Sequence, residues 1–180
     1  YAHLSPGAAD PVVAVVRLAG VIGTRGGPWR RGELGLAALA PTLERAFRVP
    51  RLRGVALIIN SPGGSPVQSA LLQQRLRQLA AEAAVPILSF VEDVAASGGY
   101  WLALAGDEIY ADANSIIGSI GVISAGFGLQ ELLARVGVER RLYTAGERKS
   151  MLDPFLPEKD EDVVRLKAIQ REMHDSFKAL

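Results

Sequence analysis

The sequence predicts an α/β fold built around one core. Three observations carry that reading. Short β-branched apolar runs alternate along the chain with longer stretches of helical spacing. Two of the runs end in small-residue turns that lead straight into a helical pattern. The 180 residues, 49% hydrophobic and 22% charged, suffice for one domain with a substantial core.

Taken in order, residues 1–11 are a polar lead with proline and glycine. Residues 12–22 are an apolar β-branched run, read as a buried strand. Residues 23–32, with Gly26-Gly27-Pro28, read as a loop, and Trp29 with its arginine neighbours reads as solvated loop surface, an interaction surface being the alternative. Residues 34–49 have helical spacing, with Leu36, Leu39, Leu43, Ala46 and Phe47 on one face. Residues 54–60 form a second buried strand that ends in Asn60-Ser61-Pro62-Gly63-Gly64-Ser65-Pro66. Ser65 suits a helix N-cap and Pro66 the first helical position. The helix that follows runs to about residue 84, with Leu71, Leu72, Leu76 and Leu79 inward. The Gly-Gly turn therefore joins a strand end to a helix start and exposes backbone N–H groups. A tight turn that merely needs glycine is the plain alternative.

Residues 86–94 are the third strand, leading into Val94-Ala95-Ala96-Ser97-Gly98-Gly99-Tyr100. Residues 100–105 read as a helix ending at Gly106. Residues 107–111 are a short strand and 115–123 another, with Gly118 and Gly121 marking a bulge or a close backbone approach. Residues 127–136 are a helix closed by Gly137, 138–144 a strand and 145–157 a loop. Residues 158–180 are an amphipathic helix with Val163, Leu166, Ile169, Met173, Phe177 and Leu180 on one face. Glu158, Asp160, Glu161 and Asp162 open it, as the helix dipole favours.

Composition narrows the function classes. A formal net charge of +1 implies no bulk attraction to nucleic acid or anionic membrane. With no cysteine there is no disulfide, thiolate metal site or cysteine nucleophile. The two histidines, His3 and His174, stand near opposite ends, which argues against a histidine-rich metal site and against a Ser-His-Asp triad. No apolar run is long enough to span a bilayer, and no signal peptide is evident. The start at Tyr1 and the helical pattern at Leu180 read as a fragment of a longer protein, whose N-terminal anchor would be absent.

Ser97 sits at a strand-to-helix junction among small residues, where a helix N-terminus favours negative charge and another backbone can approach closely. A simple helix N-cap fits the same pattern. A serine nucleophile needs a base. Of the 20 basic residues, sixteen are arginine and four are lysine. Lys149 is the one lysine outside the last helix, flanked by apolar Met151, Leu152, Pro154, Phe155 and Leu156. Desolvation by such neighbours is what lets an amine act as a base. An exposed loop lysine is the alternative.

Together these pieces resemble the signal peptide peptidase A family, bacterial Ser-Lys peptidases of the Clp-protease/crotonase fold. The resemblance rests on Asn60-Ser61-Pro62-Gly63-Gly64, Ala96-Ser97-Gly98-Gly99-Tyr100, Gly118-Ser119-Ile120-Gly121-Val122 and the segment around Lys149, in the family's order and spacing. It covers the chain from about residue 12 to the C-terminus. It implies an α/β, Clp-protease/crotonase-like fold of repeated strand-helix units in a single domain, with 1–11 a lead segment and 12–180 the catalytic domain. By the same resemblance Ser97 is the nucleophile, Lys149 the general base, Ser119 the residue that orients Lys149, and the N–H groups of Gly64 and Gly98 the oxyanion hole. The implied substrates are apolar peptides, such as cleaved signal peptides or membrane-protein segments. No metal or cofactor and no nucleic acid is implied. A homo-oligomer is, associated through Met151 to Leu156 and the terminal helix. So is a bacterial inner-membrane setting, with the catalytic domain itself soluble and the membrane anchor in a region absent from this chain. Two other readings compete: a crotonase-like acyl-CoA enzyme, against which Ser97 and Lys149 speak, and a catalytically silent membrane-associated scaffold, against which Ser97, Ser119 and Lys149 together speak.

Overall fold

A computed structural model describes residues 10–24, 34–146 and 148–180. Most of the lead, His3 with it, and most of the loop around Trp29 lie outside the described residues. The chain forms two compact units, Tyr1–Ile120 with Leu180, and Gly121–Ala179.

The first unit is a parallel sheet with helices between its strands, as the alternating pattern predicts. Its elements are β1 (Val12–Ala19), α1 (Leu36–Phe47), β2 (Leu52–Ser61), α2 (Pro66–Ala83), β3 (Ile87–Ala96), α3 (Gly98–Ala103), β4 (Glu108–Ala111) and β5 (Ile116–Gly118). The sheet order is β1-β2-β3-β4, and β5 pairs β3 further along the same edge. Every pairing between these strands is parallel. Parallel neighbours need a crossover, and α1 and α2 supply two of them.

Alternation along the strands sets the core. Val16 and Leu18 of β1, Val55, Leu57 and Ile59 of β2, and Ile87 and Val91 of β3 are buried. They pack with Leu43 and Phe47 of α1 and with Leu72, Leu76, Leu79 and Ala80 of α2. The intervening residues are more open: Val13 and Val15 are exposed, and Phe90 stacks on Tyr110 at 5.2 Å.

The helix ends follow the sequence signals. Ser65 Oγ accepts the Gln68 N–H at 3.4 Å, with Pro66 opening α2. Leu71 departs from expectation. It is 38% exposed, because Leu72, Leu76 and Leu79 already fill the inward stripe at i, i+4 and i+7.

Asp107 clamps the edge of the sheet. Its carboxylate accepts the Ile87 N–H at 2.8 Å and pairs with Arg77 at 2.8 Å. The Ile87 N–H first, and then Arg77, hold this carboxyl below the ordinary range. A carboxyl lowered on folding stabilises the fold above its unfolded value, near 3.9, and loses that contribution as pH falls through the folded one. Urea unfolding measured at successive pH values should therefore show a stability decline below about pH 4 that is shallower in Asp107→Asn. An equal slope in the two proteins would remove Asp107 from the account.

The second unit contains α4 (Gln130–Arg135) and α5 (Asp160–Lys178). Gly137 follows α4 in the left-handed conformation, as its position predicts. The strand expected over 138–144 does not form; Val138, Leu142 and Tyr143 are exposed. The strand expected over 115–123 shrinks to β5. Gly118 and then Ser119 take positive φ, 117° and 54°, and turn the chain out of the ladder. Among the described residues nothing beyond its chain neighbours lies within 4 Å of where a Cβ on Gly118 would sit, so its positive φ rather than crowding is what favours glycine there. In α5 the apolar face is present, but only Phe177 of it is buried. Ile169 and Met173 remain 39% and 38% exposed.

Candidate active site

Ser97 lies between the last residue of β3 and the first of α3. The chain passes from strand to helix in one residue, and Ser97 takes φ 52° and ψ −120°. Such a conformation in a non-glycine residue costs about 1–3 kcal/mol and persists only where the surroundings enforce it. Two hydrogen bonds do so. The Ser97 N–H donates to the Gly118 carbonyl at 2.7 Å, and the Ser97 carbonyl accepts the Trp101 N–H at 3.0 Å, starting α3. Ser97 itself is half-buried. Ser97 occupies the N-cap position of α3, but its side chain makes no capping hydrogen bond.

The Gly63–Gly64 turn packs directly against this serine. A Cβ on Gly63 would stand 2.8 Å from both Ser97 Cβ and Gly98 N. The turn is held from three sides. Ser61 Oγ accepts the Gly63 N–H at 3.2 Å. The Gly63 carbonyl accepts the Ile22 N–H at 2.8 Å, and the Ser65 N–H donates to the Ile22 carbonyl at 2.8 Å. This bridge uses the groups on either side of Gly64 and leaves the Gly64 N–H outside it. Gly64 has φ 148°, and a Cβ there would collide with the Ile22 carbonyl oxygen. Only glycine fits. Gly98 is the first residue of α3, so its N–H has no partner within the helix. A Cβ on it would overlap Ser69 Oγ.

The first unit thus gathers Ser97, Gly64 and Gly98, and joins them to Gly118, whose next residue is Ser119. Ser119 is exposed. A hydroxyl beside two amide donors that no described residue engages is an arrangement suited to acyl transfer: an attacking oxygen, and N–H groups for the oxyanion that the attack creates. The Ser97 N–H, spent on Gly118, is not a third donor.

Lys149 lies in the second unit, in the predicted loop, and is exposed. Its N–H donates to the Gly146 carbonyl at 3.3 Å. Of the apolar neighbours that the sequence offered as its cover, Met151, Leu152, Phe155 and Leu156 are half-buried and Pro154 is exposed. The loop is ordered by Asp153. Its carboxylate accepts the Phe155 N–H and pairs with Arg140, each at 2.9 Å. The Phe155 N–H first, then Arg140, hold that carboxyl below the ordinary carboxylate range.

Three residues support the site beyond those to which the motifs assign a role; Asn60 and Ser61 stand within one of the motifs and Ser69 outside all of them. Ser61 and Ser69 are fully buried. Ser61 props the Gly63 amide, and Ser69, with its hydroxyl donated to the Ser65 carbonyl at 2.9 Å, backs Gly98. The four-residue step from Ser65 to Ser69 is the one sequence signal for the second. Asn60, whose Nδ2 donates to Asp93 at 2.7 Å, ties the end of β2 to the irregular part of β3. Among the described residues no group of histidine, aspartate and glutamate is arranged to hold a metal ion.

The chain is similar to several known proteins. The sequence model described as peptidase family S49 matches residues 80–179. A putative signal peptide peptidase SppA of Enterococcus faecium is 30% identical over 164 residues, 89% of this chain and 47% of that protein. A protein of Brucella melitensis named Na(+)/H(+) antiporter NhaA is 58% identical over 170 residues, 94% of this chain but 23% of that protein. The chain therefore spans less than half the length of either relative. A solved structure of the membrane-bound stomatin-specific protease 1510-N aligns with a TM-score of 0.47 at 19% identity, over 66% of this chain and 54% of that one.

Proposed function

The chain belongs to peptidase family S49, and on that premise we propose that it hydrolyses peptide bonds with Ser97 as nucleophile and Lys149 as general base. The observation that carries the reading is the strained Ser97 with the Gly63–Gly64 turn packed against it. In the proposed cycle the neutral Lys149 amine takes the Ser97 Oγ proton as that oxygen attacks the scissile carbonyl. The Gly64 and Gly98 N–H groups receive the oxyanion; one such donor is worth about 10²–10³ in kcat. The Lys149 ammonium then returns the proton to the leaving amine as the C–N bond breaks. Water, deprotonated by the same amine, releases the acyl group from Ser97. Ser119 holds the lysine in line. The pairing of Lys149 and Ser119 with Ser97 is supported by the order and spacing of the motifs.

The substrates we propose are extended apolar peptides, such as signal peptide remnants or membrane-protein segments. The small residues on either side of Ser97, Ala96 half-buried before it and Gly98 after it, support that choice. Among the described residues no helix is long and apolar enough to cross a membrane. Exposed Ile169 and Met173 on the apolar face of α5 support assembly into a homo-oligomer. Light scattering that finds a monomer with full activity would refute that assembly.

Labelling with a fluorophosphonate probe tests the central claim. Covalent adduct at Ser97, located by peptide mass spectrometry and absent from Ser97→Ala, is the expected result. Hydrolysis that persists undiminished in Ser97→Ala overturns the assignment.

A further inference from the structure

Lys149 is exposed, yet the loop that carries it is held at many points. Three turns overlap along it. The Lys149 N–H donates to the Gly146 carbonyl at 3.3 Å, the Met151 N–H to Arg148 at 3.3 Å and the Asp153 N–H to Ser150 at 3.2 Å. Within the last of these turns Leu152 takes φ 56°. That left-handed conformation is unfavourable for a bulky side chain and persists only where the surroundings enforce it.

The enforcement comes from the far end of the loop, within the same second unit. The Asp153 carboxylate receives the Arg140 guanidinium and the Phe155 N–H, each at 2.9 Å. The guanidinium also lies 5.7 Å from the centre of the Phe155 ring, within cation–π range. One residue on, the Pro154 carbonyl accepts the Leu129 N–H at 2.6 Å, at the N-cap of α4. Burial separates this clamp from an ordinary surface pair. The Asp153 side chain is 10% exposed, whereas that of Glu139, which pairs with Arg141 beside Arg140, is 73% exposed. Exposed pairs contribute little, but a carboxylate taken from water depends on its partners. The strain falls at Leu152, directly before Asp153 and three residues after Lys149. The clamp therefore fixes the direction in which the chain runs back to the lysine.

We propose that Asp153, with Arg140, is a positioning residue for the reaction: it sets the place of the Lys149 amine and touches no substrate itself. The inference rests on the reading of Lys149 as general base. Such a base must come within about 2.6–3.2 Å of the proton donor in the reacting complex, and a misplacement of about 1 Å can cost about 10²-fold in rate. A lysine stem is flexible, so the backbone beneath it has to supply that precision.

The test compares kcat and KM for one fluorescence-quenched apolar peptide. Asp153→Ala should lower kcat by about 10–10²-fold and leave KM within about twofold. Asp153→Asn still offers an oxygen to the Phe155 N–H but no charge to Arg140, and should fall between Asp153→Ala and the parent. Arg140→Ala should match Asp153→Asn. Arg140→Lys should recover most of the loss, since the pair is a single N–H···O contact that an ammonium can make. Glu139→Gln, at the exposed pair, should match the parent. The decisive measurement is a double-mutant cycle, read as the rate of fluorophosphonate labelling of Ser97, for which one turnover suffices. If Asp153 acts through Lys149, Asp153→Ala should remove nothing further once Lys149→Ala has removed the amine. A further loss of about threefold or more in the double variant makes the clamp a support of the fold alone and overturns the inference. So does a kcat within about twofold of the parent in both Asp153→Ala and Arg140→Ala. Should circular dichroism show that Asp153→Ala does not fold, Arg140→Ala and Arg140→Lys carry the same cycle. Parent-rate turnover in Lys149→Ala is a distinct result: it strikes the assignment of the base, and this inference with it.

Discussion

Lys149→Arg should be inactive, with kcat reduced by about 10³-fold or more. A guanidinium stays protonated throughout the working range and cannot take the Ser97 proton. Without a base the hydroxyl is a weak nucleophile, and losing a member of such a unit costs about as much as losing the whole of it. The substitution nearly keeps length, and Lys149 is exposed, so the fold has no reason to fail. The loop's order comes instead from Asp153, with its bonds to Phe155 and Arg140. Circular dichroism should therefore be unchanged while peptide turnover disappears. The fluorophosphonate probe adds a second readout, because its reaction also needs an activated serine. Parent-like turnover in Lys149→Arg means that another group serves as base.

Gly64→Ala should also abolish measurable hydrolysis, by a different route. Its Cβ would collide with the Ile22 carbonyl oxygen, which is fixed by the Ser65 N–H. The backbone must move to admit the methyl, and the φ of 148° disfavours any residue but glycine. Movement of a few tenths of an ångström takes the Gly64 N–H off the oxyanion, and loss of one such donor lowers kcat by about 10²–10³. The broken bridge to Ile22 should lower stability as well, within the common destabilisation range of about 0.5–3 kcal/mol. Two measurements separate the effects. Substrate affinity in a Ser97→Ala background should change little, while kcat in the Ser97 protein collapses. Retention of most activity in Gly64→Ala would place the oxyanion donors elsewhere.

Much of the first unit can be read from the chain because its signals are local. β2 and β3 are apolar runs of strand length, and Ser65-Pro66 names the first residue of α2. The glycines at 63 and 64 announce a turn, and Ser97 stands at a strand–helix junction whether or not its φ is known. The misreadings share a cause. Residues 115–123 and 138–144 have strand-like composition, but a ladder needs a partner, and partners are set by distant parts of the chain. Only 116–118 finds one, at the end of β3. Hydrophobicity alone points Leu71 inward, although it stands about 100° around the helix from Leu72. Ser61 and Ser69 could not be found by type, since serine is mostly exposed, and each is buried here by one short local bond.

The bond from Ser97 to Gly118 ties the nucleophile to the shortest strand of the sheet. β5 has three residues, pairs only with Val94, Ala95 and Ala96, and leaves Ile116 and Ile117 68% and 41% exposed. Little apolar burial resists its local opening, and each opening frees the Ser97 amide. In hydrogen–deuterium exchange that amide should therefore keep time with β5 rather than with the doubly flanked β2. The lifetime of the attacking geometry is then set by a sub-global fluctuation at the sheet edge, well short of the free energy that unfolds the whole unit.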